Sequence, residues 1–160
     1  GACRAEGRWR IAGLTDPTAM GDLLGIPILG SDNLLADLRV QGVAAAIVGV
    51  GSTGDPSLRI RLFELIAGLG FALPAVIHPR AFVAETARLG AGTVVLAMAA
   101  VNPLAVIGRN VIVNTGALIE HGCDIGDHAH LAPGCVLGGQ VTVGEGAHIG
   151  LGASDRKSVE

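Results

Sequence analysis

Residues 101–131 read VNPLAVIGRNVIVNTGALIEHGCDIGDHAHL, and an aliphatic side chain recurs at every sixth position, beginning with Val101. The same phase extends in both directions without a break. The position four residues further on is small or β-branched throughout, from Ala81 to Ala153. A repeat of fixed length indicates a solenoid, in which each repeat packs on its neighbours. The aliphatic series is Ile77, Val83, Leu89, Val95, Val101, Ile107, Val113, Ile119, Ile125, Leu131, Leu137, Val143 and Ile149.

The length of this repeat excludes the commoner elements. An amphipathic helix carries apolar residues at i, i+3, i+4 and i+7, and a half-buried strand alternates with period two. One large and one small inward residue in every six instead fit one flat face of a parallel β-helix, with three faces to a coil. Glycine follows the aliphatic residue in several repeats. We expect these glycines to lie at corners, in backbone conformations that cost glycine little. These are Gly90, Gly108, Gly126, Gly138, Gly144 and Gly150.

Composition narrows the class of protein. Of 160 residues, three are Phe, one is Trp and none is Tyr, so aliphatic and small side chains must build the core. The net charge of −3 gives no basic footprint for nucleic acid, and no apolar run is long enough to span a bilayer. Arg4 and Glu6 interrupt any signal-like run, so we expect a cytoplasmic protein with reduced cysteines and without nucleic-acid or membrane partners. Cys123 and Cys135 are predicted to be core thiols.

The residues before the repeat show a different pattern, in which strands alternate with helices. The predicted strands and helices lie at 9–14, 43–50 and 71–76, and at 31–39 and 56–69. The predicted fold class is therefore mixed, with a partial Rossmann-like α/β unit over 1–76 and a β-helix of hexapeptide repeats over 77–154. We expect the first strand and the Gly-rich loop of the α/β unit to be missing.

The repeat loses its phase after Ser154, because Asp155 falls on the next inward position. Solenoids normally end in a capping element, which this sequence does not show. We interpret residues 155–160 as a non-repeat tail and a candidate cloning artefact, and the chain as a fragment of a longer gene product.

Polar side chains that interrupt the repeat are candidates for chemistry. His121 lies at an outward position, where a neutral imidazole suits a general base. Such a base needs an orienting partner. Glu120 is adjacent, but neighbouring side chains on a strand point to opposite faces. Asn114 can lie near His121 only if the corner between two faces brings the two side chains together. The alternative interpretation of His121 is an exposed histidine without a catalytic role.

The remaining histidines of the repeat raise the question of a metal site. The simplest interpretation for three of them is solvation at the surface: His128, His130 and His148. Residues 121–127 resemble the ligand segment of the γ-class carbonic anhydrases, which are also hexapeptide β-helices. A further ligand histidine of that family would fall five residues before His121, where this chain has Gly116, so we predict no metal.

Residues 49–54, GVGSTG, formally match the dinucleotide-binding pattern G-x-G-x-x-G between a predicted strand and a predicted helix. The acidic residue that should follow about 20 positions later is absent. We therefore predict a loop whose backbone contacts a ligand, with Gly49 and Gly51 as substrate-binding candidates.

The stretch 111–130, VIVNTGALIEHGCDIGDHAH, resembles the sialic-acid O-acetyltransferase and UDP-4-amino-sugar N-acetyltransferase family, and the resemblance extends over 9–154. It implies a left-handed β-helix that binds acetyl-CoA as co-substrate, preceded by a Rossmann-like domain that binds a nucleotide sugar. It also implies homotrimers with active sites between neighbouring β-helices, acting in cell-surface glycan biosynthesis. The implied function is direct transfer of an acetyl group to the amine, or the hydroxyl, of a nucleotide-activated amino sugar or sialic acid.

The resemblance further implies roles for individual residues. His121 would be the general base, with Glu120 and Asn114 shaping the pocket, and His130 would contact the thioester region of acetyl-CoA. Asp16 would correspond to the acidic position near the nucleotide sugar. Gly139 and Leu151 would correspond to the wall along which the pantetheine arm runs.

One departure from the family concerns the base itself. The residue after the catalytic histidine is usually acidic in this family and is Gly122 here, which leaves the orienting partner of His121 open. The segments missing at both ends leave the activity of the fragment open as well. The rival interpretations are a γ-carbonic-anhydrase-like metal enzyme and a non-catalytic β-helix that serves as a trimerisation scaffold.

Overall fold

The computed structural model describes residues 1–156, which form a small mixed unit followed by a parallel β-helix. The N-terminal unit contains three helices, one 3-10 turn and three short strands. They are α1 (Ala2–Glu6), β1 (Leu14–Thr15), β2 (Asp22–Leu23), β3 (Ile26–Gly30), the 3-10 turn (Asp32–Leu34), α2 (Leu35–Val40) and α3 (Ser57–Gly68).

The β-helix is built from strands of two residues each, because the chain turns a corner after every face. They are β4 (Val76–Ile77), β5 (Phe82–Val83), β6 (Arg88–Leu89), β7 (Val94–Val95), β8 (Ala100–Val101), β9 (Val106–Ile107), β10 (Ile112–Val113), β11 (Leu118–Ile119), β12 (Asp124–Ile125), β13 (His130–Leu131), β14 (Val136–Leu137), β15 (Thr142–Val143), β16 (His148–Ile149) and β17 (Ser154–Asp155).

Three parallel sheets form the faces of the β-helix, as the period of six predicted. Their strand orders are β16-β13-β10-β7-β4, β17-β14-β11-β8-β5 and β15-β12-β9-β6. We call them the β10 face, the β11 face and the β12 face. Ile112 pairs with Val94 in the preceding coil and with His130 in the following one, so equivalent positions in successive coils are 18 residues apart.

The predicted aliphatic series fills the interior of the coils. Val101 and Ile119 are fully buried, and the first three members of the series are partly buried against the same core. Each buried branched side chain stabilises the fold by roughly 1.5–3 kcal/mol. Cys123 and Cys135 are buried at the small inward positions, which confirms the prediction of core thiols. Burial raises the pKa of Cys135 to about 11.

The glycines that follow the inward residue serve close packing between coils, so our expectation of a corner conformation was wrong. Gly90, Gly108 and Gly126 do not adopt the left-handed region. A methyl group on Gly126 would instead lie 2.6 Å from the backbone nitrogen of Glu145 in the following coil. The left-handed corner residues form three separate columns: Gly92, Asn110, His128 and Gly146; Met98, Gly116, Gly134 and Gly152; and Leu104, Gly122 and Gln140.

Helix α3 packs along the first of these columns, and its position confirms the helix predicted at 56–69. The ring of Phe63 meets the ring of His128 edge-on, with centroids 5.6 Å apart. Phe63 also lies where a side chain at Gly92 would be, since a methyl group there would be 2.8 Å from its ring. Arg59 is buried one turn earlier. The N-terminal unit is thus joined to one corner of the β-helix through α3.

Several other parts of the N-terminal unit differ from the prediction. The strand expected at 9–14 is reduced to β1, and the one at 43–50 to a single bridge from Ala45 to Ala72. Of the strand expected at 71–76, only the last residue belongs to a strand, β4. Few neighbouring backbone segments pair with these apolar stretches, so longer strands do not form. The helix expected at 31–39 is present as the 3-10 turn and α2.

Helix α1 precedes the first element that we predicted, the strand at 9–14. The carboxylate of Glu6, at its end, accepts a hydrogen bond from the indole N–H of Trp9 at 2.8 Å. The other carboxylate oxygen accepts the backbone N–H of Ile77 at 3.3 Å. These long-range contacts hold the short helix against the first strand of the β-helix, and a local sequence pattern does not reveal them.

The limits of the β-helix are set by its first and last strands. β4 begins at Val76 and β17 ends at Asp155, so the domain boundaries proposed after 76 and 154 fall inside strands. Asp155 pairs with Leu137 and keeps the register one residue beyond the predicted loss of phase. Residues 157–160 of the predicted tail lie outside the described residues. Within residues 1–156, no helix combines the length and apolarity needed to cross a membrane.

Candidate active site

Glu120 and His121 occupy the corner that follows β11. The strand ends at Ile119, so both residues lie in the turn, where the alternation of side chains along a strand no longer applies. The turn brings Glu120 Oε2 to 3.7 Å from His121 Nδ1. Our expectation that adjacent positions would separate the two side chains was therefore wrong.

The imidazole of His121 rests on the backbone of Gly139 in the following coil. A methyl group at position 139 would lie 2.6 Å from the Cε1 atom of the ring, so only glycine leaves room for this placement. The backbone carbonyl of His121 accepts the N–H of Gln140 at 2.9 Å, which fixes the corner. The side chain of His121 stays 65% exposed. A reacting group can therefore approach the ring from solvent.

Asn114 and His130 form a second cluster on the β10 face. His130 Nε2 lies 3.0 Å from Asn114 Nδ2, and His130 Nδ1 lies 2.5 Å from the carbonyl oxygen of Ser52. A carbonyl can only accept, so Nδ1 carries the proton and Nε2 accepts the amide N–H of Asn114. Asn114 Oδ1 accepts the backbone N–H of Thr115 at 2.8 Å. Both ends of the Asn114 amide are thereby fixed.

Two of the histidines that we expected at the surface are buried. His128 is 3% exposed and His130 is 7% exposed, because α3 and the loop before it cover this side of the β-helix. His128 Nδ1 lies 2.9 Å from Asn110 Nδ2. His148 is exposed as expected, although its ring meets that of His130 with centroids 4.9 Å apart. The repeat pattern does not reveal which face another segment covers.

Sequence reasoning missed Arg59 and Ser52, which connect the N-terminal unit to this second cluster. Arg59 is 1% exposed and donates to the backbone carbonyls of Asn110 and His128. Its Nε donates to Ser52 Oγ at 3.3 Å. Burial lowers the pKa of Arg59. A signal existed, because Arg59 lies on the i, i+4, i+7 stripe of α3 with Phe63 and Ile66, where an apolar residue is expected.

The other predicted ligand residues are spread over the surface. Gly49 and Gly51 lie in an exposed loop that leads to Ser52, and nothing lies within 4 Å of a methyl group built on either. Leu151 is 78% exposed. Asp16 Oδ1 accepts the backbone N–H groups of Ala19 at 2.7 Å and Thr18 at 2.9 Å, and these bonds lower the pKa of Asp16.

The structure thus gathers most of the predicted site residues into two clusters and leaves Asp16 and Leu151 outside both. One contains His121, Glu120 and Gly139, and the other contains Asn114, His130 and the 49–54 loop. Over residues 1–156 of a single chain, His121 makes no hydrogen bond to Asn114 or His130. In the same range, no three His, Cys, Asp or Glu side chains converge as a metal-binding group.

The buried histidines make stability depend on pH. Burial lowers the pKa of His128 against the opposing charges of Asp127 and Glu145, and burial also lowers the pKa of His130. The unfolded chain takes up protons near pH 6.5 that the folded chain does not, so stability is retained above about pH 6.5 and falls as the pH drops below it. We expect Tm at pH 5.5 to be about 2–4 °C lower than at pH 7.5.

The variant His128→Asn tests this expectation, since Asn110 already occupies the equivalent left-handed corner one coil earlier. It should show a flatter dependence of Tm on pH, measured by calorimetry. His78→Asn, at a partly exposed histidine, should keep the slope of the parent. Equal slopes for His128→Asn and the parent would show that His128 does not contribute.

The chain is similar to known transferases over most of its length. Residues 104–139 match the family described as bacterial transferase hexapeptide (six repeats). The chain is 29% identical over 105 residues to the GDP-perosamine N-acetyltransferase of Escherichia coli O157:H7. The match covers 66% of this chain and 48% of the relative. The chain therefore spans about half the length of the curated relative that it matches.

Two solved structures extend the similarity to the whole fold. The acetyltransferase domain of PglB from Neisseria gonorrhoeae FA1090, in complex with acetyl coenzyme A, superposes with a TM-score of 0.90 at 35% identity, covering 98% of this chain and 74% of that one. A histidine-to-alanine mutant of GDP-perosamine N-acetyltransferase from Caulobacter crescentus, in complex with CoA and GDP-perosamine, gives 0.76 at 33% identity, covering 90% and 75%. These matches confirm the predicted fold class, an α/β unit followed by a left-handed β-helix. The chain belongs to the hexapeptide-repeat family of left-handed β-helix acetyltransferases that includes these sugar N-acetyltransferases.

Proposed function

We propose that the chain transfers an acetyl group from acetyl-CoA to the amine of a nucleotide-linked amino sugar, with His121 as general base. The observation that carries the proposal is the placement of His121, an exposed imidazole that lies against Gly139 with a carboxylate oxygen 3.7 Å from Nδ1. The three relatives named above are or contain acetyltransferases, and two are named for an amino sugar, which favours an amine over a hydroxyl as acceptor.

The proposed reaction is a single acyl transfer. The acceptor amine attacks the thioester carbonyl carbon, the new C–N bond forms, the C–S bond breaks, and CoA departs as a thiolate. The proton lost by the amine passes to His121 Nε2, and the imidazolium returns it to the thiolate, so CoA leaves as the thiol. Glu120 accepts the N–H of Nδ1 and thereby keeps Nε2 basic. In the family, an acidic residue directly after the catalytic histidine usually has this role, at the position where this chain has Gly122. A contact of 3.7 Å is long for a hydrogen bond, but such contacts commonly shorten when substrate binds.

Asn114 is proposed to stabilise the charge that develops on the thioester oxygen. One of its two amide N–H groups is held by His130 Nε2, so the second N–H is available to an oxyanion. His130 then acts through Asn114, since both of its own ring nitrogens already have partners. For the pantetheine arm we retain Gly139 and the exposed Leu151, and for the nucleotide sugar we retain Asp16, Gly49 and Gly51.

The proposed assembly is a homotrimer, and the β11 face supports it. The outward residues of this face are apolar on four successive strands: Phe82, Ala100, Leu118 and Val136. The β12 face carries mainly polar outward residues, and α3 covers the corner beside the β10 face. Glu120 and His121 lie at the edge of the apolar face. Docking this face on a second copy would bring His121 of one copy towards another copy's Asn114 and His130.

We expect Leu118→Glu to convert the trimer to a monomer, because it places a charge in the middle of the apolar face, where an unpaired buried charge is costly. Val106→Glu on the β12 face is the matched control and should leave the assembly unchanged. Size-exclusion chromatography with light scattering at micromolar concentration measures both. A trimeric Leu118→Glu variant, or a monomeric parent, would contradict the proposed interface.

The activity itself is tested by thiol release from acetyl-CoA in the presence of candidate acceptors. We expect GDP- or UDP-linked amino sugars to release thiol at least tenfold faster than the hydrolytic background, roughly the effect of modest positioning. The same sugars with the amine replaced by a hydroxyl should stay near background. Thiol release only with hydroxyl acceptors would change the proposal to O-acetylation, and background rates with every acceptor would refute it.

A further inference from the structure

The guanidinium of Arg59 is buried at the junction of α3 and the β-helix, and the proposed reaction does not use it directly. Its two terminal nitrogens donate to the carbonyls of Asn110 and His128, which lie at equivalent corners of successive coils. Burying a charged group is costly unless hydrogen bonds replace its water. Here the replacements are backbone carbonyls and one hydroxyl, and no carboxylate in residues 1–156 forms an ion pair with it.

The third donor of Arg59 leads from this junction towards the candidate site. Nε donates to Ser52 Oγ, and the carbonyl of the same serine accepts the Nδ1–H of His130. His130 Nε2 then accepts from Asn114. The chain of contacts therefore runs from a helix of the N-terminal unit, through the loop that contains Gly49 and Gly51, to the amide proposed to stabilise the oxyanion.

We propose that Arg59 is a positioning residue that holds the 49–54 loop on His130 and thereby fixes the orientation of the Asn114 amide. The proposal rests on the proposed function of Asn114. If the loop moved away, His130 would lose the acceptor that places its proton on Nδ1. Nε2 could then carry the proton, and it would no longer accept from Asn114. The Asn114 amide would then be held at its oxygen alone, by the N–H of Thr115, and its N–H groups would lose the direction that His130 gives them.

The shape of arginine matters for this role. A planar guanidinium presents several N–H donors in fixed directions, whereas a lysine ammonium is a single point of charge on a flexible stem. Arg59 contacts three acceptors that lie on two coils and one loop, and a lysine at the same position cannot reach all three. Arg59→Lys should therefore keep a buried cation while releasing the loop.

A purely structural role for Arg59, in docking α3, is the competing explanation. Ser52→Ala separates the two, because it removes the Oγ acceptor and leaves both carbonyl contacts of Arg59 in place. Arg61→Lys is the matched control, at an exposed arginine two residues further along the same helix.

The deciding measurement is the ¹⁵N NMR spectrum of the His130 ring in the full chain, labelled at histidine. The two ring nitrogens of a neutral imidazole have distinct shifts, so the spectrum reports which one carries the proton. We expect Nδ1–H in the parent and in Arg61→Lys, and a mixture of both tautomers in Arg59→Lys and Ser52→Ala. Burial, His148 and Arg59 lower the pKa of His130 in the parent, whereas the hydrogen bond to the Ser52 carbonyl raises it.

Kinetics supply the second readout. Arg59→Lys and Ser52→Ala should lower kcat by about ten- to a hundred-fold, as a small misplacement of a reacting group does, with the KM for acetyl-CoA changed by less than about twofold. An unchanged His130 spectrum in both variants would overturn the proposal, whatever the activity. Altered spectra with an inactive parent would uphold the positioning of His130 and count against the proposed function alone.

Discussion

His121→Ala is expected to lower kcat by about 10²–10⁴-fold, the usual contribution of a general base. Binding of acetyl-CoA should survive, because the imidazole acts on the acceptor amine. The fold should survive as well, since the side chain is largely exposed and makes no hydrogen bond within the described residues. Stopped-flow thiol release gives kcat, and calorimetric titration gives the affinity for acetyl-CoA.

The space above Gly139 offers a sharper test of the same role. Removing the ring leaves a gap of imidazole shape against the backbone, so added imidazole should restore part of the activity of His121→Ala. His78→Ala, at a partly exposed histidine of the first coil, is the control and should keep full activity. A kcat for His121→Ala within about threefold of the parent would remove His121 from the mechanism.

Gly126→Ala is expected to destabilise the β-helix by about 3 kcal/mol or more, at the upper end of overpacking effects. A methyl group there would lie 2.6 Å from the nitrogen of Glu145 and 2.8 Å from the carbonyl carbon of Gly144. Both atoms belong to the backbone of the next coil, so no side chain can rotate away. The two coils would have to separate, which breaks the strand pairing between β12 and β15.

Gly150→Ala is the matched control for this prediction. It follows an inward aliphatic residue in the same way, but nothing lies within 4 Å of its added methyl group. We expect the free energy of unfolding to change by less than about 0.5 kcal/mol. Alanine leaves the unfolded chain fewer conformations than glycine does, and this offsets any small strain in the folded state. Urea denaturation measures both variants, and soluble yield reports on Gly126→Ala if it does not fold. Equal stabilities would show that the coils do not pack as closely as the structure indicates.

The contrast between these glycines shows how far the sequence predicts this fold. The period of six gave the inward ladder correctly, because one apolar side chain must enter every face. It did not separate glycines required by close approach, such as Gly126, from those required by a left-handed turn, such as Gly122. The two kinds occupy different positions of the hexad, but the sequence does not say which position requires close approach and which requires a left-handed turn.

The candidate site was predictable only where the repeat itself builds it. His121 is outward and exposed because its place in the hexad requires it. The environment of His130 was not predictable, because a segment 78 residues earlier supplies its carbonyl partner. The short strands of the N-terminal unit were overestimated for a related reason: apolar runs predict burial, but pairing depends on neighbours distant in sequence.

The central claim is that this chain moves an acetyl group from CoA to a sugar amine through His121. One measurement tests it most directly: the parent and His121→Ala are each incubated with acetyl-CoA and the nucleotide-linked amino sugar that gives the fastest thiol release, and thiol and acetylated sugar are quantified together by mass spectrometry. The account predicts equal amounts of thiol and N-acetylated nucleotide sugar for the parent, and almost none of either for the variant. Thiol released without acetylated sugar, or equal product from both proteins, would contradict it.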